Sequence, residues 1–150
     1  MGIKGKKSVD SIHKELGHVM WEYMGMARTQ QGLEKGLKRL KEIRAEFESN
    51  LFIPGSKEGV NIELEKALRL NDFITMGQLI AYDALNRNES CGGHFREEYQ
   101  TEEGEAKRDD ENYFYVACWD YAGDDEKAPS LIKEPLEYEA IKVQTRNYKS

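Results

Sequence analysis

The fold is decided by one stretch of sequence, residues 61–87, which reads NIELEKALRLNDFITMGQLIAYDALNR. Asn61 is a favourable helix N-cap, and apolar side chains then recur at intervals of three and four as far as Arg87. The stripe expected to be buried consists of Leu64, Leu68, Asn71 or Phe73, Ile74 or Thr75, Leu79 or Gln78, Tyr82 and Leu85. Because apolar residues cover more than one face, the stretch predicts a long central helix that contacts two neighbours.

A first helix is predicted ahead of this stretch. Ser8 or Ser11 can cap its N-terminus, and Gly25 is expected to end it. Its buried stripe is predicted to be Val9, Ile12, Leu16, Val19 or Met20, and Tyr23. Gly17 interrupts this pattern and costs about 1 kcal/mol relative to alanine. A helix usually keeps such a glycine where another backbone passes close by, so we expect a close contact there.

A second helix is predicted between Thr29, a favourable N-cap, and Asn50, a natural stop. Its stripe is predicted to be Leu33, Leu37, Leu40, Ile43 or Arg44, and Phe47. Because short connections join the three helices, they are expected to run up, down and up. The predicted fold class is therefore mainly α: an antiparallel three-helix bundle over residues 8–88, followed by an irregular tail with a short β-strand pair.

Residues 89–150 are expected to form this extended tail, as part of the same domain. The tail is rich in aromatic residues: Phe95, Tyr99, Tyr113, Phe114, Tyr115, Trp119, Tyr121, Tyr138 and Tyr148. Long irregular segments are uncommon in compact domains unless they are functional or lie against a surface. The tail is therefore expected to cover the bundle and, in part, a neighbouring domain. Residues 1–7 are interpreted as a linker or as the edge of a segment cut from a longer protein.

The strand pair of the tail is expected to include residues 113–121, whose aromatic and β-branched composition favours a strand. Residues 122–125 then favour a turn. The candidate partner segments are residues 136–138 and 141–143. Pro129 and Pro135 are expected to break regular structure between the strand and these candidates.

The composition is that of a polar globular chain, with 39% hydrophobic and 33% charged residues. The net charge of -6 argues against general nucleic-acid binding, which needs a basic face. The sequence has no run of about 18 apolar residues, so no direct membrane insertion is expected. Cys91 and Cys118 do not form a CxxC pair, and this usage fits a reduced, intracellular compartment.

Residues 89–96, which read ESCGGHFR, form a distinctive loop. Two glycines allow either a tight backbone path with positive φ or a close approach to another chain segment, and His94 and Arg96 project from this loop. These side chains either recognise an anion or substrate, or satisfy nearby carbonyls and carboxylates, and the spacing alone favours the second interpretation. Cys91 and His94 have the spacing of half a zinc site, but no second pair lies close in sequence, so no metal site is predicted. A nucleophilic Cys91 needs a base held in place, which a histidine three residues away in a loop does not show, so a catalytic thiol is not predicted either.

A charge cluster, RDDEN, occupies residues 108–112 just before the predicted strand. Asp109 and Asp110 could form an acid/base pair. The favoured interpretation is structural, in which one of the two aspartates caps a turn and Arg108 bridges to a carboxylate. Neither the GxGxxG dinucleotide motif nor a P-loop occurs in the sequence.

Several of these segments belong together as an ordered set. In chain order they are residues 19–29 (VMWEYMGMART), 63–70 (ELEKALRL), 83–90 (DALNRNES) followed by Gly92-x-His94-x-Arg96, 108–112, and 141–148. The set resembles the C-terminal domain of succinate dehydrogenase and fumarate reductase flavoprotein subunits over nearly the whole chain. The third segment, with its glycine, histidine and arginine, is the most specific match.

The resemblance implies that the parent subunit is an FAD-containing oxidoreductase that interconverts succinate and fumarate. Electrons would pass through an iron–sulfur subunit to or from quinone at a membrane anchor. The subunit would lie in the cytoplasm, peripheral on the inner face of a bacterial membrane through its partner subunits. The family's flavin-attachment, proton-donating and dicarboxylate-binding residues lie upstream, so this chain is expected to carry no catalytic, cofactor-binding or metal site.

The sequence departs from the family pattern at two places. The family commonly reads Ser-Arg-Gly-Ala-His where residues 90–94 read Ser-Cys-Gly-Gly-His, so an inter-domain ion pair made by that arginine is not expected here. Residues 100–107 also look longer than in many relatives, which suggests a bacterial subtype.

The prediction for this segment is architectural: the bundle packs on the upstream flavin-binding domain, and the tail wraps that contact. His94, Arg96, Arg108 and Asp109 are predicted to be the polar contacts of the junction. Two other hypotheses remain open. The chain could be a free-standing helical protein-interaction module, or an independent small enzyme that uses His94, Arg96 and Asp110.

Overall fold

Three long helices form the predicted bundle in the computed structural model, which describes residues 2–122 and 127–144. They are α1 (Val9–Met24), α2 (Gln30–Asn50) and α3 (Ile62–Asn86). The caps predicted at Ser8, Thr29 and Asn61 are confirmed, because each side-chain oxygen accepts a hydrogen bond from the backbone N–H three residues later. The predicted helix ends near Gly25, Asn50 and Arg87 are confirmed as well.

The helices run up, down and up, as predicted. Lys7 Nζ, just before α1, lies 2.5 Å from Glu46 near the end of α2. Arg44 of α2 donates to the side chain of Asn71 of α3 over 2.5 Å, whereas Leu40, four residues earlier in α2, lies beside Gly77, six residues later in α3. Each helix therefore packs antiparallel to the next, and α1 and α3 lie side by side in the same direction.

The core lies between the three helices and contains most of the stripes predicted for α1 and α2. Val9, Ile12, Leu16, Val19, Leu33, Leu40 and Ile43 are buried. Tyr23, Leu37 and Phe47 are partly buried and pack against this core. Burial of these side chains is the main favourable contribution to the stability of the bundle.

The stripe predicted for α3 is partly wrong. Ile74 and Gln78 are buried as expected, but Leu68 is 64% exposed. Small residues take much of the buried face instead: Ala67, Gly77, Ala81 and Ala84, together with Leu70. Because they have little or no side chain, α3 can lie close to both of its neighbours, a contact that a search for large apolar residues overlooks.

The close backbone contact expected at Gly17 is not found in the described residues, where apart from the helix itself no atom lies within 4 Å of a Cβ added there. Gly5 is the residue with such a contact. A Cβ at Gly5 would overlap the carbonyl group of Asn50, and the Gly5 N–H donates to the Leu51 carbonyl over 3.2 Å. The segment interpreted as a linker therefore lies against the bundle, and it continues into a short parallel pair between β1 (Lys7–Ser8) and β2 (Leu51–Phe52).

The tail contains a one-turn helix, α4 (Asp110–Tyr113), and a strand pair, β3 (Tyr115–Asp120) with β4 (Ser130–Pro135). The strand pair was predicted, but its partner was not: β4 precedes both candidate segments and lies between the two prolines. Pro129 precedes the strand and Pro135 ends it, and proline is tolerated at the end of an edge strand. Residues 123–125 of the predicted turn and residues 145–148 of the closing motif, including Tyr148, lie outside the described residues.

Aromatic residues of the tail contact α3. The indole Nε1 of Trp119 donates to Asp83 over 2.9 Å, and the hydroxyl of Tyr115 lies 3.4 Å from the Asn86 side chain. Among the helices of the described residues, none is both long enough and apolar enough to cross a bilayer.

Candidate functional site at the bundle–tail junction

A tight turn at residues 91–94 begins the junction between bundle and tail. The backbone N–H of Cys91 donates to the His94 carbonyl over 2.8 Å, and the N–H of His94 donates back to the Cys91 carbonyl over 3.0 Å. Gly92 has a φ of 59°, which is one of the two uses that the sequence allowed for these glycines. The turn directs the His94 side chain toward the end of α1.

Both ring nitrogens of His94 have partners. Nδ1 lies 2.9 Å from Nη1 of Arg28, and Nε2 lies 2.9 Å from the Arg87 carbonyl oxygen. A guanidinium can only donate and a carbonyl can only accept, so Nε2 carries the hydrogen and Nδ1 accepts. Burial lowers the pKa of His94 from its ordinary value, and the positive charges of Arg28 and Arg96 add to this effect. The imidazole is therefore neutral and held in one tautomer.

Arg28 is the residue that joins α1 to the tail. Its Nε donates to the carbonyls of Met24 and Gly25, which the end of the helix leaves without backbone partners, over 3.2 and 3.1 Å. Its backbone N–H donates to the Phe95 carbonyl, and its own carbonyl accepts from the Glu97 N–H. Burial lowers the pKa of this guanidinium, although the charge of Asp83 opposes the shift.

Arg28 is not among the residues predicted from the sequence. Two signals were available: it lies within residues 19–29, the first segment of the family resemblance, and it follows a helix end, where basic side chains interact favourably.

Arg96 is 1% exposed and donates from Nη1 to the Ala84 carbonyl over 2.8 Å. Its guanidinium also lies over the Tyr99 ring, 5.4 Å from the centroid. Its Nε donates to Glu98 over 3.1 Å, while the other carboxylate oxygen of Glu98 accepts from the backbone N–H of Gln30 over 2.5 Å. Burial opposes ionisation of Glu98, but these hydrogen bonds outweigh it and lower its pKa.

Two buried neighbours, Ser90 and Glu89, complete this arrangement and were also not singled out from the sequence. The Ser90 hydroxyl accepts from the Arg96 N–H over 2.8 Å and lies 3.2 Å from the Arg96 carbonyl, to which it donates. Glu89, which is 2% exposed, accepts from Arg87 over 2.8 Å and from the backbone N–H of Asp109 over 2.9 Å. Arg96 and Arg87 lie only six and two residues from Ser90 and Glu89, but the sequence does not show that these two side chains are buried, and Asp109 is 20 residues from Glu89.

Arg87 connects the end of α3 with the strand pair. Besides Glu89, it donates to the carbonyls of Tyr113 and Tyr115 over 3.1 and 3.3 Å. Its guanidinium also lies 5.1 Å from the centroid of the Tyr115 ring, a favourable cation–π distance. We refer to Arg28, Arg87, Glu89, Ser90, His94 and Arg96 as the junction cluster.

Two of the four residues predicted as polar contacts with the flavin-binding domain, His94 and Arg96, lie in the junction cluster, where they join the tail to the bundle within this chain. Their contact with the flavin-binding domain stays a prediction. Asp109 touches the edge of the cluster through its backbone N–H, while its side chain caps α4 by accepting from the Asn112 N–H over 3.2 Å. Arg108 pairs with Asp110 over 2.5 Å instead. The structural interpretation of the charge cluster is therefore confirmed.

The polar side chains of the junction cluster are already hydrogen-bonded or buried within the chain. Both nitrogens of His94 are hydrogen-bonded, and Arg96 has almost no contact with solvent. In the part of the chain that the structure describes, no three His, Cys, Asp or Glu side chains are grouped to hold a metal ion. The chain also does not fit an FAD site, because it lacks a glycine-rich dinucleotide loop and its parallel strand pair is two residues long.

A family model described as the C-terminal region of fumarate reductase flavoproteins matches residues 13–148. Among curated proteins, the fumarate reductase flavoprotein subunit of Helicobacter pylori is 32% identical over 142 residues, which cover 93% of this chain and 19% of that protein. The corresponding subunit of Proteus vulgaris is 29% identical over 95% of this chain and 22% of its own length. This chain thus spans about a fifth of the length of these relatives.

Solved structures have the same fold. Quinol fumarate reductase from Escherichia coli matches with a TM-score of 0.74 and 21% identity, over 97% of this chain and 24% of that one. The Sdh1 complex of Mycobacterium smegmatis in the apo form matches with a TM-score of 0.73 and 22% identity, over 92% of this chain and 22% of that one.

Proposed function

The chain belongs to the succinate dehydrogenase/fumarate reductase flavoprotein family as its C-terminal domain, and from this we propose that it is the structural domain of a larger oxidoreductase subunit. In this proposal the parent subunit binds FAD in its upstream domain and interconverts succinate and fumarate. The bundle packs on that flavin-binding domain and does not catalyse the reaction alone.

The proposal is supported by one observation: the polar side chains that a small enzyme would use are already hydrogen-bonded within the chain. His94 is fixed between Arg28 and the Arg87 carbonyl, and Arg96 is buried against α3. A general base or a substrate-binding arginine needs access to the reacting molecule. These two side chains instead join the tail to the bundle, as a structural domain requires.

The partners of the proposed complex follow from the family and from the neighbours, several of which are multisubunit assemblies. We propose an iron–sulfur subunit and a membrane anchor as partners of the parent subunit, with electrons passing to or from quinone. The subunit would then lie on the cytoplasmic side of a bacterial membrane, held there by its partners.

The proposal is tested by comparing the chain alone with the complete subunit. The chain alone should bind no flavin and should not reduce fumarate with a reduced dye, whereas the complete subunit should do both. In the complete subunit, His94→Ala with Arg96→Ala should lower the melting temperature and weaken flavin retention. His18→Ala with Arg69→Ala changes the same residue types at exposed positions and serves as the control. Fumarate reduction by the chain alone, or an unchanged double variant, would contradict the proposal.

The two other hypotheses receive less support. An independent enzyme would bring His94, Arg96 and Asp110 together in a cleft, but Arg96 is 1% exposed and Asp110 pairs with Arg108. A free-standing interaction module would fold its tail onto its bundle and leave no large apolar surface. The tail does pack on α3, but an apolar groove remains open between α1 and α3.

A further inference from the structure

The open groove between α1 and α3 is lined by apolar side chains. Phe73, Met76 and Ile80 line its α3 side at helical spacing and are 46%, 58% and 40% exposed. On α1, Met20 and Gly17 line the opposite side. We refer to these five residues together with His13, which lies 5.6 Å from Phe73 between ring centroids, as the α1–α3 groove.

The exposed apolar surface continues beyond the groove along α1. Trp21 follows Gly17 by one helical turn and is 84% exposed. Monomeric proteins rarely leave a contiguous apolar surface of this kind without a function, because burying it in a contact is favourable.

The other faces of the bundle are different in character. The outward face of α2 carries charged side chains, including Lys35, Lys38, Lys41 and Glu42. A second face of α3 is occupied by the tail, where Leu79 and Tyr82 line a shared cavity with Trp119. The α1–α3 groove is therefore an apolar face between two helices that the tail does not cover, as far as the described residues extend.

Gly17 gives a second, independent observation. A glycine within a helix destabilises it by about 0.5–1 kcal/mol relative to alanine. At a comparable position in α2, the packing of the domain itself explains why Gly36 is a glycine, since a Cβ there would lie 2.7 Å from the Cβ of Tyr23. For Gly17 no such neighbour is found among the described atoms outside its own helix. The space beside it is open toward the groove.

We propose that the α1–α3 groove binds the flavin-binding part of the same subunit, with a backbone segment of that part lying against Gly17. This inference rests on the proposed function and adds the surface and the closest point of contact. The two fumarate reductase subunits described above match this chain over 19% and 22% of their length, so most of each protein lies outside the match. An occupant of that size, joined to the same chain, is the partner that would cover an apolar groove this open.

The first measurement compares hydrogen exchange in the complete flavoprotein subunit and in the chain alone. We expect residues 73–80 of α3 and residues 13–21 of α1 to exchange more slowly in the complete subunit. The outward face of α2 should exchange equally fast in both.

The second measurement uses Gly17→Leu with Lys41→Leu as its matched control. Both place a leucine on an exposed helix position, one in the groove and one on the charged face of α2. In the chain alone, neither change should lower the melting temperature. In the complete subunit, Gly17→Leu should reduce the protection of residues 73–80 about tenfold or more, equivalent to about 1.4 kcal/mol of contact free energy. Lys41→Leu should leave that protection unchanged.

The outcomes separate this inference from the proposed function. If the two parts associate but protection appears away from the groove, or if Gly17→Leu has no effect in the complete subunit, the inference is wrong and the proposed function stands. If the chain never associates with a flavin-binding part, both are wrong. If the chain alone forms a dimer that protects residues 73–80, the groove binds a second copy and the inference is overturned.

Discussion

His94 shows at the scale of a single residue how the fold fixes a side chain that the sequence left open. Its partners are the guanidinium of Arg28, 66 residues earlier, and the carbonyl of Arg87. Only a neutral imidazole with hydrogen on Nε2 satisfies both, because a protonated ring would direct an N–H at the guanidinium. A histidine that looked suited to recognise an anion is thus an acceptor for an arginine.

This arrangement predicts a loss of stability at mildly acidic pH. The folded-state pKa of His94 is lowered below 6.5, so the unfolded chain takes up the proton first. The contribution of neutral His94 to the free energy of unfolding is fully present above the unfolded-state pKa. It is lost as the pH falls from 6.5 through the lowered folded-state pKa. Chemical denaturation between about pH 7.5 and pH 5 should show this fall in the wild-type chain. A His94→Gln variant, which cannot gain a proton there, should show a smaller fall, and parallel curves would contradict the assignment.

Ser90 predicts a larger effect than its small size suggests. Its buried hydroxyl pairs with both the N–H and the carbonyl of Arg96, so Ser90→Ala leaves two backbone groups without this partner. We expect a loss of about 1–3 kcal/mol in the free energy of unfolding, measured with urea. Ser49→Ala removes an exposed hydroxyl that bonds only within α2, and it should change stability by less than about 0.5 kcal/mol. Equal effects of the two variants would show that the Ser90 bonds contribute little.

At the scale of the helices, two glycines with similar sequence context have opposite surroundings. Gly17 in α1 faces open space, whereas Gly36 in α2 lies against Tyr23 and Met24 of α1. A Cβ at Gly36 would lie 2.7 Å from the Tyr23 Cβ, which is held by the helix backbone and cannot easily move away.

Alanine substitutions at these two glycines should therefore change the free energy of unfolding in opposite directions. Gly17→Ala should stabilise the chain alone by about 0.5–1 kcal/mol, because it restricts the unfolded chain and fits without a clash. Gly36→Ala should destabilise it by about 1–3 kcal/mol, because the two helices must move apart. Thermal unfolding of both variants measures the difference. A stabilising Gly36→Ala would mean that α1 and α2 are packed less closely than described.

At the scale of the whole molecule, Arg87 couples the bundle to the strand pair. It follows the end of α3, pairs with the buried Glu89, and donates to the carbonyl of Tyr113 in α4 and to that of Tyr115 at the start of β3. Removing its charge would leave the Glu89 carboxylate buried without its ion-pair partner, which is costly.

Arg87→Ala should lower the free energy of unfolding by about 3 kcal/mol. It should also speed hydrogen exchange in the strand pair more than in α1, because the strands lose one of their attachments to α3 and keep the bonds of Trp119 and Tyr115. Arg69→Ala removes an exposed arginine from the same helix, and it should leave both quantities nearly unchanged. If exchange rises equally in the bundle and in the strand pair, the strand pair is not held through Arg87.

The sequence by itself determined the three helices, their caps and their order, because periodicity, capping side chains and turn residues act over a few residues. It also carried the family resemblance. It did not determine which face of α3 is buried, since Ala67, Gly77 and Ala81 are selected by the distance between helices and not by their own hydrophobicity. It did not determine β4 as the partner of β3 either, because strand pairing joins segments that no local pattern relates.

The junction cluster was likewise decided by the tertiary structure. His94 and Arg96 were identified from their spacing, but their partners Arg28 and Ala84 are supplied by α1's end and by α3, 66 and 12 residues away. Whether an arginine or a histidine faces a substrate or a carbonyl depends on what the folded chain places beside it. Local sequence fixes which groups are available, and only the packing of distant segments fixes which of them meet.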